Sequence, residues 1–93
     1  MHFDWDEEKN KKLKSERGVG FEDVVTAINE GDLLDVLNHH NISKYPNQKI
    51  YVVKIEDYAY LVPFVKEPGK LFLKTIYPSR KMTKKYIIER REK

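Results

Sequence analysis

Three strand-forming segments joined by two very short links constrain this chain more than any other feature. Ile50–Ile55 (IYVVKI), Tyr58–Val65 (YAYLVPFV) and Lys70–Tyr77 (KLFLKTIY) are rich in β-branched and aromatic residues, which suit a pleated surface. Glu56-Asp57 links the first two, and Lys66 to Gly69, containing Pro68-Gly69, links the last two. Links this short have no room for a crossover, so both are hairpins and the segments form an antiparallel meander. Pro63, inside the second segment, cannot donate to a ladder. It implies a bulge, or an N–H position that faces no partner.

Two helices precede the meander. Phe3-Asp4-Trp5 alternates apolar and polar residues, as a short strand does, and Asp6 then offers an N-cap with Glu7 and Glu8 in the first turn, where the helix dipole favours negative charge. Lys9 to Glu16 are strong helix formers with Leu13 as their only large apolar side chain, so this helix lies on the surface behind a narrow contact. Arg17-Gly18-Val19-Gly20 ends it. Phe21, Val24, Val25 and Ile28 then fall at i, i+3, i+4 and i+7, one face of a second helix over Phe21–Glu30. Gly31 suits its C-terminal cap. Leu33, Leu34, Val36 and Leu37 read as a further helical turn or a short buried segment, and Asn38 to Gln48 as a loop. A terminal basic helix spans Met82 to Arg91, with Tyr86, Ile87 and Arg90 as a partial apolar stripe.

Ninety-three residues, 40% hydrophobic and 35% charged, bound this to a single small domain over residues 1–93, globular rather than disordered. The fold class expected is α+β: two N-terminal helices packed on an antiparallel β-meander with a C-terminal basic helix, the helices lying against one face of the twisted sheet. The buried face of the sheet is expected to include Val52, Leu61, Leu71 and Leu73, packed by Phe21, Val24, Val25 and Ile28. The chain has no cysteine, which excludes a disulfide framework, a thiol nucleophile and a cysteine zinc site. No apolar run approaches the length of a membrane span, and the N-terminus lacks the basic and apolar regions of a secretion signal. A soluble cytoplasmic protein with no membrane partner is the expectation.

Charge is unevenly distributed. From Lys70 to Lys93 nine basic residues stand against two acids, a balance of +7, while residues 1–69 carry nine against thirteen, a balance of −4. The basic end, with Lys81, Lys84 and Lys85, can neutralise several phosphates, making nucleic acid the first partner to consider; a solvated charged helix is the plainer alternative. Phe21 to Leu37 holds five acids and no Lys or Arg, so that surface should repel RNA.

Few constellations carry chemistry. His39-His40 are adjacent, and adjacent side chains on an extended chain point opposite ways. With no cysteine, no H-x-x-x-H spacing and His2 as the only other imidazole, they read as a polar loop, with no metal and no cofactor implied. The G-x-G of Gly18–Gly20 follows a helix and not a strand, so it reads as a turn. The segment Lys74-Thr75-Ile76-Tyr77-Pro78-Ser79-Arg80-Lys81 is different. A strand delivers Lys74 and Tyr77, Pro78 stops the ladder, and Arg80-Lys81 project where the last helix begins. Metal-free RNA cleavage needs a group to accept the 2′-OH proton, one to protonate the departing 5′ oxygen, and cations at the phosphorane. Lys, Arg and Tyr can share those tasks. Tyr77 and Tyr86 are candidates for base stacking or proton transfer, with core or edge roles as the alternative.

Two stretches resemble a known family. Phe3-Asp4-Trp5-Asp6-Glu7-Glu8-Lys9-Asn10 with Arg17-Gly18-Val19-Gly20-Phe21-Glu22-Asp23-Val24 is similar to the opening of BrnT-type toxins, F-x-W-D-x-x-K followed by H-G-V-x-F-E-E-A. Ile76-Tyr77-Pro78-Ser79-Arg80-Lys81-Met82-Thr83-Lys84-Lys85 is similar to their I-I-S-A-R-x-A-T-x-x-E ending. The resemblance implies a RelE-like fold, a ribonuclease that inhibits translation, and a ribbon-helix-helix antitoxin (BrnA- or CopG-like) as neutralising partner. It also implies catalytic cations at Arg17 and Arg80, with Lys14 and Lys49 as assisting RNA-binding residues. An acidic antitoxin segment over Lys70–Lys93 is expected, or a basic one on the acidic Phe21–Leu37 face. The alternative to an enzyme is a non-catalytic RNA- or partner-binding module on the same scaffold.

Overall fold

The computed structural model of the chain describes residues 2–89. Its elements run β1 (His2–Asp4), α1 (Glu7–Arg17), α2 (Phe21–Asn29), β2 (Leu33–Asn38), β3 (Gln48–Ile55), β4 (Tyr58–Glu67), β5 (Lys70–Leu73), β6 (Tyr77–Pro78) and α3 (Arg80–Thr83), which continues as a π-helical segment over Lys84–Ile88. The expected reach of that helix to Arg91, with Arg90, Arg91 and Lys93 as part of its basic charge, lies outside the described residues. The domain is α+β, with a six-stranded sheet in the order β1-β5-β4-β3-β2 and β6 paired to β4. The sheet is antiparallel except where β1 runs parallel to β5.

Both helix ends of α1 follow from the sequence. The Asp6 carboxylate accepts the Glu8 and Lys9 N–H groups, and Gly18 closes the helix at φ 71°, a conformation glycine adopts without penalty. The junction to α2 is organised by a residue with no apolar signature. Asn10, only 1% exposed, accepts the Phe21 N–H at 2.8 Å through Oδ1 and donates to Glu22 Oε1 at 2.9 Å through Nδ2. The Asp23 carboxylate reaches back to the Gly20 N–H. A Cβ at Gly20 would sit 2.5 Å from Lys14 Cε, 2.9 Å from Glu22 Oε1 and 3.0 Å from Asn10 Oδ1, so a side chain there would displace the Lys14 and Glu22 side chains.

The Asn10 amide is the main influence that holds the Glu22 carboxyl below the ordinary glutamate range, with Lys14 assisting. A depressed carboxyl stabilises the fold above its unfolded pKa, and the contribution is lost as pH falls through the folded value. The urea midpoint should therefore decline below the ordinary glutamate pKa of 4.5, and Glu22→Gln should show a shallower decline. Identical acid limbs for variant and wild type would exclude Glu22 as the titrating group.

Four expectations are corrected. First, Leu33–Asn38, read as a further helical turn or a short buried segment, is a half-buried strand paired antiparallel to β3 with a bulge between Leu33 and Asp35. The bulge lets Leu34 and Leu37, three residues apart, join the same apolar cluster while Leu33 joins the other, so the segment lacks the two-residue alternation that marks a strand. Second, the helices cover both faces of the sheet, because strands buried on two sides need two covers. Leu13, Phe21, Val24 and Ala27 pack with Val53, Val62, Leu71 and Leu73 on one face, while Ile87 and Met82 pack with Val52, Ala59 and Leu61 on the other. Val52 and Leu61, expected beneath α2, thus lie beneath the C-terminal helix. Third, the sheet is not wholly antiparallel, since the N-terminal strand joins it in parallel.

The fourth correction concerns the third strand, which ends at Leu73 instead of running to Tyr77. Phe64 pairs with Leu73, but Leu61 pairs with Tyr77, so three steps on β4 match four on its partner. One residue is extra, which defines a bulge. Pro63 is its physical cause. Its carbonyl accepts the Lys74 N–H at 2.8 Å, and without an N–H it cannot return the second bond of the pair.

The C-terminal helix is tied down by polar contacts. Ser79 Oγ accepts the Met82 N–H, and buried Thr83 Oγ1 accepts the Ala59 N–H at 2.9 Å while donating to the Ser79 carbonyl at 2.7 Å. Thr83→Val keeps the shape but strands a buried N–H, so it should cost about 1–3 kcal/mol. Urea unfolding measures this, and a loss below about 0.5 kcal/mol, the level of an ordinary surface change, would remove Thr83 from this role.

Candidate active site

The bulge beside Pro63 opens a concavity at this end of the sheet. Beyond Leu73 the chain leaves the ladder, and Lys74, Thr75 and Tyr77 turn toward a cavity of about 320 Å³. Ile50 and Pro63 form its apolar floor, and the loop after β2 supplies His39 and His40. Lys49 borders it from the start of β3. Three residues nominated by the sequence, Lys74, Tyr77 and Lys49, therefore meet two that it passed over.

The imidazoles are held in place. His39 Nδ1 accepts the Asn41 N–H at 3.0 Å, and its ring stacks on His40 with centroids 4.3 Å apart and packs against Tyr45 at 4.6 Å. The expectation that adjacent histidines point apart fails because the chain turns directly after His39. His39 N–H bonds to the Gln48 carbonyl, and the Gln48 N–H to the Tyr45 carbonyl, so backbone bonds close this loop onto the mouth of β3. Among the described residues no group of three or more His, Cys, Asp or Glu is arranged to hold a metal ion.

The basic helix lies on the same face of the sheet as this groove. Arg80, Lys81, Lys84 and Lys85 are exposed along it, beside the groove without lining it. Tyr86 is engaged: its hydroxyl donates to the Asp35 carboxylate, which raises its pKa above the ordinary tyrosine value and pins the helix to β2. Lys85 lies over its ring at 5.2 Å.

The two remaining sequence candidates are elsewhere. Arg17 ends α1, which packs on the opposite face through Leu13. The helix that begins at Arg80 packs on the other face, so the structure does not bring these two cations together. Lys14 is held by Glu22 at 3.1 Å, an ion pair within the protein that competes with RNA for its charge. A second concavity, about 260 Å³, lies on the face that carries α1 and α2, floored by stacked Tyr51 and Phe64 and bordered by Lys49 and Lys66. The acidic region is concave as well, with Asp23, Glu30, Asp32 and Glu56 around one hollow. No helix among the described residues is long and apolar enough to cross a membrane. Compared with known protein families, curated proteins and solved structures, the chain matches no family model, no curated protein and no solved structure.

Proposed function

We propose that this chain is the toxin of a type II toxin–antitoxin system, a cytoplasmic, metal-independent endoribonuclease on a RelE-like scaffold that inhibits translation. The observation that carries this is the groove in which the strand bulge gathers Lys74, Tyr77 and Lys49 beside two imidazoles. The sequence resemblance at both ends of the chain points the same way. RNA supplies its own nucleophile, the 2′-hydroxyl, so the protein needs only to orient one phosphodiester, move two protons and neutralise the charge that develops on phosphorus. Lys74 is the cation for that phosphorus, with Tyr77 as a hydrogen-bond donor beside it. Arg80, Lys81, Lys84 and Lys85 hold the flanking backbone phosphates, where Arg80 offers a bidentate fork. The neutralising partner is a ribbon-helix-helix antitoxin whose acidic segment covers this basic face.

The test is direct. Purified protein incubated with single-stranded RNA in the presence of EDTA should yield fragments ending in 2′,3′-cyclic phosphate and 5′-hydroxyl, and induction in cells should arrest growth. No fragments and no arrest would overturn the ribonuclease assignment. RNA retention without cleavage would then support a binding module, which the separation of Arg17 from Arg80 favours.

A further inference from the structure

We infer that His39 and His40 are catalytic residues of the groove with divided tasks, His39 as a fixed hydrogen-bond donor to the phosphate and His40 as the base for the 2′-hydroxyl. This rests on the ribonuclease reading of the same groove and names the groups that reading leaves unassigned. Both rings line the cavity that holds Lys74 and Tyr77. His39 Nδ1 is occupied by the Asn41 N–H at 3.0 Å, so the neutral ring carries its hydrogen on Nε2. It therefore has a donor to offer and no vacant lone pair. Stacking on His40 at 4.3 Å and packing against Tyr45 at 4.6 Å fix its direction, and a donor locked by its neighbours costs nothing to reorganise during reaction. His40 makes no hydrogen bond among the described residues, which leaves a ring nitrogen able to accept a proton.

The proton and electron balance closes without a metal or a co-reactant. His40 takes the proton of the 2′-hydroxyl, and the 2′ oxygen forms a bond to phosphorus. The bond from phosphorus to the 5′ oxygen breaks and its electron pair stays on that oxygen, which takes a proton from the Lys74 ammonium. His39 Nε2–H donates to a non-bridging oxygen throughout. The products are a 2′,3′-cyclic phosphate and a 5′-hydroxyl, and proton exchange with water restores His40 and Lys74. Tyr77 lines the same space, Lys49 borders both it and the concavity on the opposite face, and Lys44 lies over the Tyr45 ring at 5.5 Å.

Single-turnover cleavage of an RNA oligonucleotide separates these roles, run beside the same oligonucleotide with sulfur in place of the 5′ bridging oxygen. His40→Ala should lose roughly 10²–10⁴-fold on both substrates, the range of a general base, and added imidazole should restore part of the rate. Lys74→Met should lose far less on the sulfur substrate than on the oxygen one, because a thiolate leaves without protonation and only the loss of the cation at phosphorus remains. His39→Gln, which keeps an N–H donor, should retain far more activity than His39→Leu. Urea midpoints equal to wild type establish that the loop variants are folded. Cleavage by His40→Ala within threefold of wild type, or a loss that imidazole does not recover, overturns this assignment and leaves the ribonuclease reading standing. An inert wild type overturns both.

Discussion

Replacement of Asn10 by leucine should be among the most damaging single changes in this domain, costing about 2–3 kcal/mol. Asn10 is almost wholly buried, and its amide serves both partners at once, accepting from the Phe21 N–H and donating to Glu22. Leucine fills similar space but leaves the Phe21 N–H buried without an acceptor, and an unmade buried hydrogen bond costs more than a made one contributes. Phe21 is fully buried against the sheet, so its backbone cannot move outward to find water without opening the core. For a domain of this size the loss should lower the melting temperature by roughly 10–20 °C. Asn10→Asp keeps the acceptor while placing a second carboxylate against Glu22, and should fall between wild type and leucine. Urea unfolding with an unchanged denaturant slope is the measurement. A loss below about 0.5 kcal/mol for Asn10→Leu, as small as a neutral surface change, would mean the α1–α2 junction is held by other contacts.

Lys74→Met should reduce RNA cleavage about 10²–10³-fold, the usual consequence of removing one preorganised group that stabilises charge in a transition state. Lys74 is exposed, so the folded state should survive the change and stability measurements should be unaltered. The comparison with the other cations distinguishes their places. Arg80→Ala, beside the groove, should chiefly weaken RNA binding and raise KM. Arg17→Ala, on the opposite face of the sheet, should have at most a small effect. A Lys74→Met protein that cleaves like wild type would remove the groove as the site, and equal losses at Arg17 and Lys74 would contradict its placement on one face.

The antiparallel meander, both ends of α1 and the apolar stripe of α2 were legible in the sequence because each depends on neighbours in the chain. Hairpin links, an Asp N-cap, a left-handed glycine and a 3.6-residue period all act within a few residues. Pro63 signalled either a bulge or an N–H position without a partner, since a missing N–H is a property of one residue. What that bulge does was decided only by the fold. It swings Lys74 and Tyr77 toward a loop more than thirty residues earlier in the chain, where a turn stacks His39 on His40. Sequence reasoning put Val52 and Leu61 on the face of α2 when they lie on the other, because strands buried on both sides alternate between two apolar faces and no local signal tells them apart. The same lack of local signal hid β2 behind its own bulge and Asn10 among charged helix residues. Spacing along the chain determined the elements, whereas only the tertiary structure decided that α1 and α3, which carry Arg17 and Arg80, pack on opposite faces of the sheet.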